Sequence, residues 1–216
     1  MEREIVWLRP ERAGVGRPAQ RSRSEITAAA VALADRDGLD AVSMRNVAAE
    51  LGTAGGSLYR YVTSHGELLD LMADHVAAEY TFGEPTGNWL DDLVDVGLQG
   101  REIHRRHPWL AEVVTNRPGA GPNGIEVLEH VLAVLADHPA DDGAKLTAFA
   151  VMNAVVVALA QNERATAGSE GYTRFLAHVV AEGKHPHLAA LRLPLTGPDE
   201  DVLPDVLRRI LTGLLQ

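Results

Sequence analysis

The residues best suited to chemistry lie between positions 44 and 62, where arginine, serine and tyrosine side chains alternate with small and aliphatic ones. Four of them would share the polar face of one short helix: Ser57, Tyr59, Arg60 and Tyr61. A guanidinium group and phenol hydroxyls on an exposed helical face can donate hydrogen bonds to phosphate oxygens and to base edges. The chemistry that this pattern favours is docking into a DNA major groove.

Two short helices would have to position those side chains. A helix-turn-helix needs a small residue where its helices cross and a turn residue that tolerates positive φ, and Ala48 and Gly52 supply them. An apolar face would join the two helices: Val47, Leu51, Leu58 and Val62. Gly55 and Gly56 lower helix propensity by about 1–2 kcal/mol together, which indicates close backbone approach or a helix that orders on DNA. Many helical hairpins of this pattern bind nothing, so the spacing alone leaves DNA binding open.

Helical spacing of apolar residues continues through the rest of the chain, and no alternating strand pattern is evident. Capping boxes at Ser22-Glu25 and Ser64-Glu67 open the first and fourth helices. The predicted helices are 22–37, 44–51, 54–61, 64–80, 89–106, 108–115, 123–136, 142–166, 169–182 and 199–214. We therefore predict an all-α fold, in which an N-terminal three-helix helix-turn-helix unit joins a larger helical bundle. Its predicted parts are a basic arm (1–20), a DNA-binding domain (21–68) and a ligand-binding and dimerisation domain (69–216).

The distribution of charge supports this division. The net charge is −10, yet residues 1–64 hold nine arginines against eight acidic residues, while residues 65–216 hold 11 basic and 22 acidic residues. A basic arm on an acidic body suits an N-terminal approach to DNA, although a solubilising tail would have the same composition. The absence of cysteine excludes disulfide scaffolds and thiolate metal sites. The most apolar stretch, residues 146–160, is shorter than the about 20 residues of a membrane helix, so we expect a cytoplasmic protein without a membrane segment.

Residues 21–72 resemble the DNA-binding domain of TetR-family (tetracycline-repressor-like) regulators. The resemblance rests on co-spaced motifs: Ile26-Thr27-Ala28-Ala29-Ala30, Gly38-Leu39, Val42 to Ala48, Leu51-Gly52, Ser57 to Val62 and Glu67 to Asp70. The body is similar to the C-terminal domain of the tetracycline-repressor subgroup in His107 to Leu110, Arg117-Pro118 and Gly121 to Glu129. This resemblance implies a homodimeric transcriptional regulator, a repressor that a small molecule releases from a palindromic operator.

The resemblance also implies a role for each residue on the DNA-facing surface. Arg45 would reach a guanine edge, and its alternative is a surface ion pair with Glu50 or another acidic neighbour. Four residues match groove-facing and phosphate-facing positions: Ser57, Tyr59, Arg60 and Tyr61. For Tyr61, partial packing in the core is the alternative.

Two further positions would extend this surface. His65 stands where the family often carries a phosphate-binding lysine, and the helix N-terminus can still bind a phosphate there. Arg17, within Gly16-Arg17-Pro18, resembles the tripeptide with which basic arms bind a minor groove. Three other arginines would add phosphate contacts: Arg12, Arg21 and Arg23. A disordered tail is the alternative for the arm.

The helical body would hold both an effector and a second copy of the chain. Residues 146–160 are apolar on all sides, so one side would face the chain's own bundle and the other a partner. The final helix adds an apolar stripe: Leu203, Val206, Leu207, Ile210 and Leu214. Two such helices per subunit would form a four-helix interface, and a monomer that hides both stripes is the alternative. Seven residues are candidates for an effector pocket: Val96, His104, Trp109, Leu128, Phe149, Met152 and Asn153.

We expect no catalytic residues, no metal site and no cofactor. His104 and His107 are three residues apart, but no third metal ligand is evident. Val113 stands where tetracycline repressors carry a magnesium-linked histidine. Two other functions stay open: a small-molecule carrier or enzyme whose helix-turn-helix is vestigial, and a constitutive DNA binder without a ligand.

Overall fold

The computed structural model describes residues 5–9, 21–117, 120–166, 170–190 and 201–216. These ranges are helical and contain no strand, which confirms the predicted fold class. The helices in chain order are α1 (Arg23–Asp37), α2 (Met44–Glu50), α3 (Gly55–Leu58), α4 (His65–Ala77), α5 (Trp89–Arg106), α6 (Leu110–Asn116), α7 (Pro122–Val134), α8 (Asp142–Thr166), α9 (Glu170–Ala181), α10 (Pro186–Ala189) and α11 (Leu203–Leu215).

Of the two predicted capping boxes, at the starts of α1 and α4, the first forms completely and the second only in part. The Ser22 hydroxyl accepts from the Glu25 N–H at 3.0 Å, and the Glu25 carboxylate accepts from the Ser22 N–H at 2.8 Å, so this capping box is complete. At α4, Ser64 accepts from the Glu67 N–H at 3.1 Å. The Glu67 carboxylate, however, accepts from the Thr63 N–H at 2.9 Å, so the second predicted box is only half formed.

Two buried cores underlie the two parts of the chain. The first joins α1–α4 with α6 and includes Ile26, Leu68 and Trp109. The second joins α5, α7, α8 and α11. Tyr80, which follows α4, packs against both cores. The predicted boundary after residue 68 lies inside α4, so this helix belongs to the DNA-binding domain and to the body at once.

The beginning of the chain packs on the first core. Val6 is buried there, within a 3₁₀ turn at Val6–Leu8 that the sequence pattern did not indicate. The Arg23 guanidinium donates to the carbonyl oxygens of Val6 at 3.3 Å and Arg9 at 2.7 Å. Burial of an apolar side chain and these bonds hold residues 5–9 in place, so the prediction of an arm running from residue 1 to 20 is wrong for this stretch.

The bundle buries one face of each of its two longest apolar helices. On α8 the buried positions are spaced by four: Ala148, Met152, Val156 and Ala160. Leu146 on the same helix is 48% exposed, so the described residues cover α8 on one side. Asp142–Glu163 is also long and apolar enough, by length and composition alone, to cross a membrane.

On α11 the predicted stripe splits between two faces. The residues that pack on α5 and α8 are Leu203, Leu207, Leu211 and Leu215. Val206 and Ile210 are half-buried and lie beside this row. Arg101 on α5 and Asp201 before α11 form a two-pronged ion pair, and the Arg101 guanidinium lowers the pKa of the Asp201 carboxyl.

Candidate nucleic-acid interface and ligand site

The turn between α2 and α3 has the predicted geometry. Gly52 has a φ of +62°, a left-handed conformation that glycine adopts without strain. Its N–H donates to the Ala49 carbonyl at 3.0 Å, and the Thr53 N–H donates to the Ala48 carbonyl at 2.8 Å. Four side chains at the crossing are fully buried: Val47, Ala48, Leu58 and Val62. The helix-turn-helix is therefore confirmed.

The second helix of this motif is shorter than predicted. α3 covers Gly55–Leu58 rather than 54–61. One more helical turn follows, because the Val62 N–H donates to the Leu58 carbonyl at 3.0 Å. A Cβ atom on Gly55 would lie 3.7 Å from the Met44 carbonyl oxygen, which is an ordinary contact. A Cβ atom on Gly56 would have no described atom within 4 Å. Packing within the chain therefore does not require either glycine, and both leave this surface without side chains.

Three of the predicted DNA contacts are exposed on this unit. Tyr59 is 52% exposed, and Arg45 and Arg60 are also exposed. Glu50, the alternative partner of Arg45, instead forms an ion pair with Arg36, whose Nη2 lies 2.6 Å from its Oε1. The local ion pair that would have occupied Arg45 is therefore not formed.

Three other predicted contacts are either buried or bonded within the chain. Tyr61 is only 9% exposed and packs in the first core, so its prediction as an exposed residue is wrong. The turn after α3 rotates it inward, and the Arg60 guanidinium lies 6.0 Å from its ring centroid. The Ser57 hydroxyl donates to the Ala54 carbonyl at 2.7 Å. His65 is exposed at the start of α4, with its Nε2 3.0 Å from the Val42 carbonyl oxygen.

The two arginines at the start of α1 form hydrogen bonds within the fold. Arg21 donates to the Leu51 carbonyl at the end of α2, and Arg23 donates to the Tyr61 carbonyl at 3.2 Å. Both were predicted to bind phosphates, and both are engaged with backbone carbonyls, since helix ends leave such acceptors unsatisfied. Arg12 and Arg17 lie outside the described residues.

The candidate pocket residues fall in different places. Val96 and Met152 are buried in the second core, and Phe149 packs against it. Leu128 and Asn153 are half-buried. Trp109 lies in the first core, where its Nε1 donates to Asp35 at 2.7 Å, so it does not join the others. Its place beside α1 follows from a bond between residues 74 positions apart, which no local pattern predicts.

The two ring nitrogens of His104 have different surroundings. Nδ1 lies 2.9 Å from the Gly100 carbonyl oxygen, which can only accept, so Nδ1 carries the proton of the neutral ring. Nε2 is then an acceptor, and it is buried without a hydrogen-bond partner among the described residues. Burial lowers the pKa of His104; the Gly100 carbonyl opposes this effect, and nearby His107 lowers the pKa further. Burial therefore favours the neutral form of the imidazole.

Sequence analysis missed the polar junction between the two cores. His107 Nδ1 lies 2.8 Å from Asp35 on α1, and its Nε2 lies 2.9 Å from Glu79, which follows α4. Trp109 donates to the same Asp35 oxygen. His107 thus joins two carboxylates instead of pairing with His104 on a metal, and no group of three or more His, Asp or Glu side chains in the described residues is placed to hold a metal ion. The nearest signal was the run His107-Pro108-Trp109 itself.

α4 is tied to the body at two further points. Asp70 accepts both Nε and Nη2 of Arg117 at 2.6 Å, a two-pronged pair that raises the pKa of Arg117. Asp74 accepts from Asn123 Nδ2 at 3.0 Å and from the Gly124 N–H at 3.1 Å. These bonds join the helix that follows the helix-turn-helix directly to the body.

Two family models match the chain, one for each part. Residues 26–72 match the model described as bacterial regulatory proteins of the tetR family. Residues 83–216 match the model described as the tetracyclin repressor-like C-terminal domain.

Individual relatives agree with these models. The chain is 35% identical to the HTH-type transcriptional repressor DrrR1 of Streptomyces coeruleorubidus, over 98% of this chain and 83% of that protein. Its fold is similar to apo ActR from Streptomyces coelicolor, with a TM-score of 0.80 and 30% identity, covering 91% of this chain and 98% of ActR. ActR in complex with actinorhodin has a TM-score of 0.79 and 29% identity, with 91% and 96% covered.

Proposed function

The chain belongs to the TetR family of bacterial regulatory proteins, and from that premise we propose that it is a homodimeric repressor released from a palindromic operator by a small molecule. The family is one of DNA-binding transcriptional regulators rather than enzymes, and the first core holds an intact helix-turn-helix. The observation that carries the proposal is the exposure of Tyr59 and Arg60 just after α3, beside a surface left bare by glycine.

Each exposed side chain has a distinct part in the proposed interface. Arg45 and Arg60 would bind base edges or phosphates, and Tyr59 would donate to a phosphate. Tyr61 would help to position Arg60, because the Arg60 guanidinium lies over the Tyr61 ring. His65 and the N–H groups at the start of α4 would meet a phosphate. Arg17 would enter a flanking minor groove.

The charge of the body supports an approach through the N-terminal unit alone. Residues 65–216 hold twice as many acidic as basic residues, so their field repels DNA. Dimerisation through the exposed faces of α8 and α11 would hold two helix-turn-helix motifs about 34 Å apart, one DNA turn.

A small-molecule effector is supported by the ActR complexes with actinorhodin and (S)-DNPA. In this chain the proposed pocket lies among α5, α7 and α8, around Val96, His104 and Met152, with Leu128, Phe149 and Asn153 at its margin. Its signal would reach the DNA-binding unit through α4, because Asp70 and Asp74 bind the body.

Selection of duplexes from a random library, followed by footprinting, tests this function. The full chain should protect a palindromic site, and Arg60→Ala and Tyr59→Phe should weaken binding while the protein stays folded. Arg209→Ala is the matched control, since Arg209 is an exposed arginine on α11. Wild-type affinity in both DNA-face variants would contradict the proposed interface, and no selected site at all would favour a vestigial helix-turn-helix.

A further inference from the structure

Three side chains meet around Gly100 in the middle of α5. His104 Nδ1 is bonded to the Gly100 carbonyl at 2.9 Å. A Cβ atom on Gly100 would lie 2.6 Å from the Tyr80 hydroxyl and 3.3 Å from the Val156 side chain. The Tyr80 phenol therefore occupies space that only a glycine leaves open, next to the backbone that also holds the His104 ring.

His104 Nε2 is a buried acceptor with nothing to accept. The residue is 9% exposed, and no donor among the described residues reaches Nε2. Buried polar atoms in native proteins are nearly all paired, so an orphan acceptor on a fixed ring indicates a position that another molecule completes. Because Nδ1 already donates to Gly100, the missing partner must be a hydrogen-bond donor.

A stack of aromatic rings lies on the other side of Tyr80. The Tyr80 and Phe82 rings are 5.7 Å apart and inclined by 20°, and Phe82 and His130 are 4.2 Å apart and inclined by 14°. A flat ring that takes the place of Tyr80 would find Phe82 as a parallel partner.

The surroundings also bear on the charge of such a molecule. Arg101, the buried cation on the same helix, is already paired with Asp201. The neutral form of His104 offers no charge to an anion. A neutral donor is therefore the best fit, since burying an unpaired charge here would be costly.

We propose that Gly100, His104 and Phe82 form an effector subsite for a neutral, planar aromatic molecule that displaces the Tyr80 ring and donates a hydroxyl hydrogen to His104 Nε2. This inference rests on the proposed function and names the class of effector. Tyr80 follows α4 by three residues, so its displacement moves the end of the helix that begins directly after the helix-turn-helix.

The test compares two probes that differ in the donor alone, 2-naphthol and 2-methoxynaphthalene. Isothermal titration calorimetry with the full chain should show about tenfold tighter binding of 2-naphthol, the usual worth of one buried hydrogen bond. His104→Leu should bring this ratio close to one, because it removes the acceptor and keeps the ring's volume partly filled. His178→Leu, at an exposed histidine of α9, is the matched control and should keep the ratio.

Thermal melting separates this role from a structural one. His104→Leu should melt no lower than wild type, because it removes an unpaired buried acceptor. Equal affinities for the two probes, no binding of either, or an unchanged ratio in His104→Leu would each overturn the subsite.

Operator binding measured on the same samples keeps the two claims distinct. Intact DNA binding without hydroxyl selectivity overturns the subsite and leaves the proposed function standing. Hydroxyl selectivity without DNA binding supports the subsite and contradicts the proposed function.

Discussion

Removal of the Asp35 carboxylate should destabilise the protein, because it breaks the hydrogen bonds between α1 and the body. Asp35 accepts from Trp109 Nε1 at 2.7 Å and lies 2.8 Å from His107 Nδ1. Asp35→Ala leaves both nitrogens without this partner, and Trp109 and His107 are buried. A buried donor without a partner costs about 1–3 kcal/mol.

The expected loss is smaller than the sum of two such donors. The Asp35 side chain is 31% exposed, so water can enter the space and satisfy part of the lost bonding. We therefore expect a loss of about 2–3 kcal/mol in the free energy of unfolding. For a chain of this size, that corresponds to a fall of about 4–12 °C in the melting temperature.

Circular dichroism melts and urea unfolding measure this loss. Asp35→Asn keeps an oxygen that can accept from Trp109, so it should lose less than Asp35→Ala. Asp37→Ala is the matched control on the same helix. Among the described residues Asp37 pairs with the exposed Arg36 alone, so this substitution should change the melting temperature little. Equal melting temperatures for Asp35→Ala and Asp37→Ala would refute the argument and show that water replaces the carboxylate fully.

Four further outcomes follow from the same structure. Arg60→Ala should weaken operator binding by about 1–3 kcal/mol in gel shifts, if its guanidinium binds a base. Ile210→Asp should give folded monomers in sedimentation, whereas Leu207→Asp should unfold the chain, because Leu207 is fully buried in its own subunit. Arg17→Ala should flatten the salt dependence of DNA binding by about one unit, and more on A·T-rich flanks. Burial lowers the pKa of His104 in the folded wild type, so below about pH 6.5 the unfolded state binds a proton before the folded state does, and the folded state loses stability. His104→Leu removes this titrating group, so its stability should fall less over the same pH range in urea unfolding.

Features encoded by neighbouring residues could be predicted from the sequence. The Ser22 capping box and the Gly52 turn depend on residues a few positions apart, and both form as expected. The bounds of α5 were predicted to the residue, since Asn88 caps its start and His107-Pro108 follows its end. Local hydrogen bonding and apolar spacing decide these elements, so a single sequence suffices.

Features made by distant residues could not be predicted. Arg23 donates to the Val6 carbonyl, and His107 joins Asp35 and Glu79, with 17 to 72 positions between partners. Tyr61 was placed on the exposed face because a longer α3 was assumed. α3 ends at Leu58, and the looser turn that follows carries the tyrosine into the core.

α4 contacts both the helix-turn-helix unit and the body, so it is the element that would couple an effector site to the DNA-binding surface. Its buried face belongs to the first core, while Asp70 and Asp74 are bonded to the start of the body. Tyr80 then extends the chain beyond α4 into contact with both cores. Packed interfaces shift between discrete arrangements rather than deforming gradually, so a molecule that displaces Tyr80 would move α4 as a unit. In the proposed dimer, two helix-turn-helix motifs would have to lie one DNA turn apart to bind a palindrome together, so a rotation of each α4 would change that spacing.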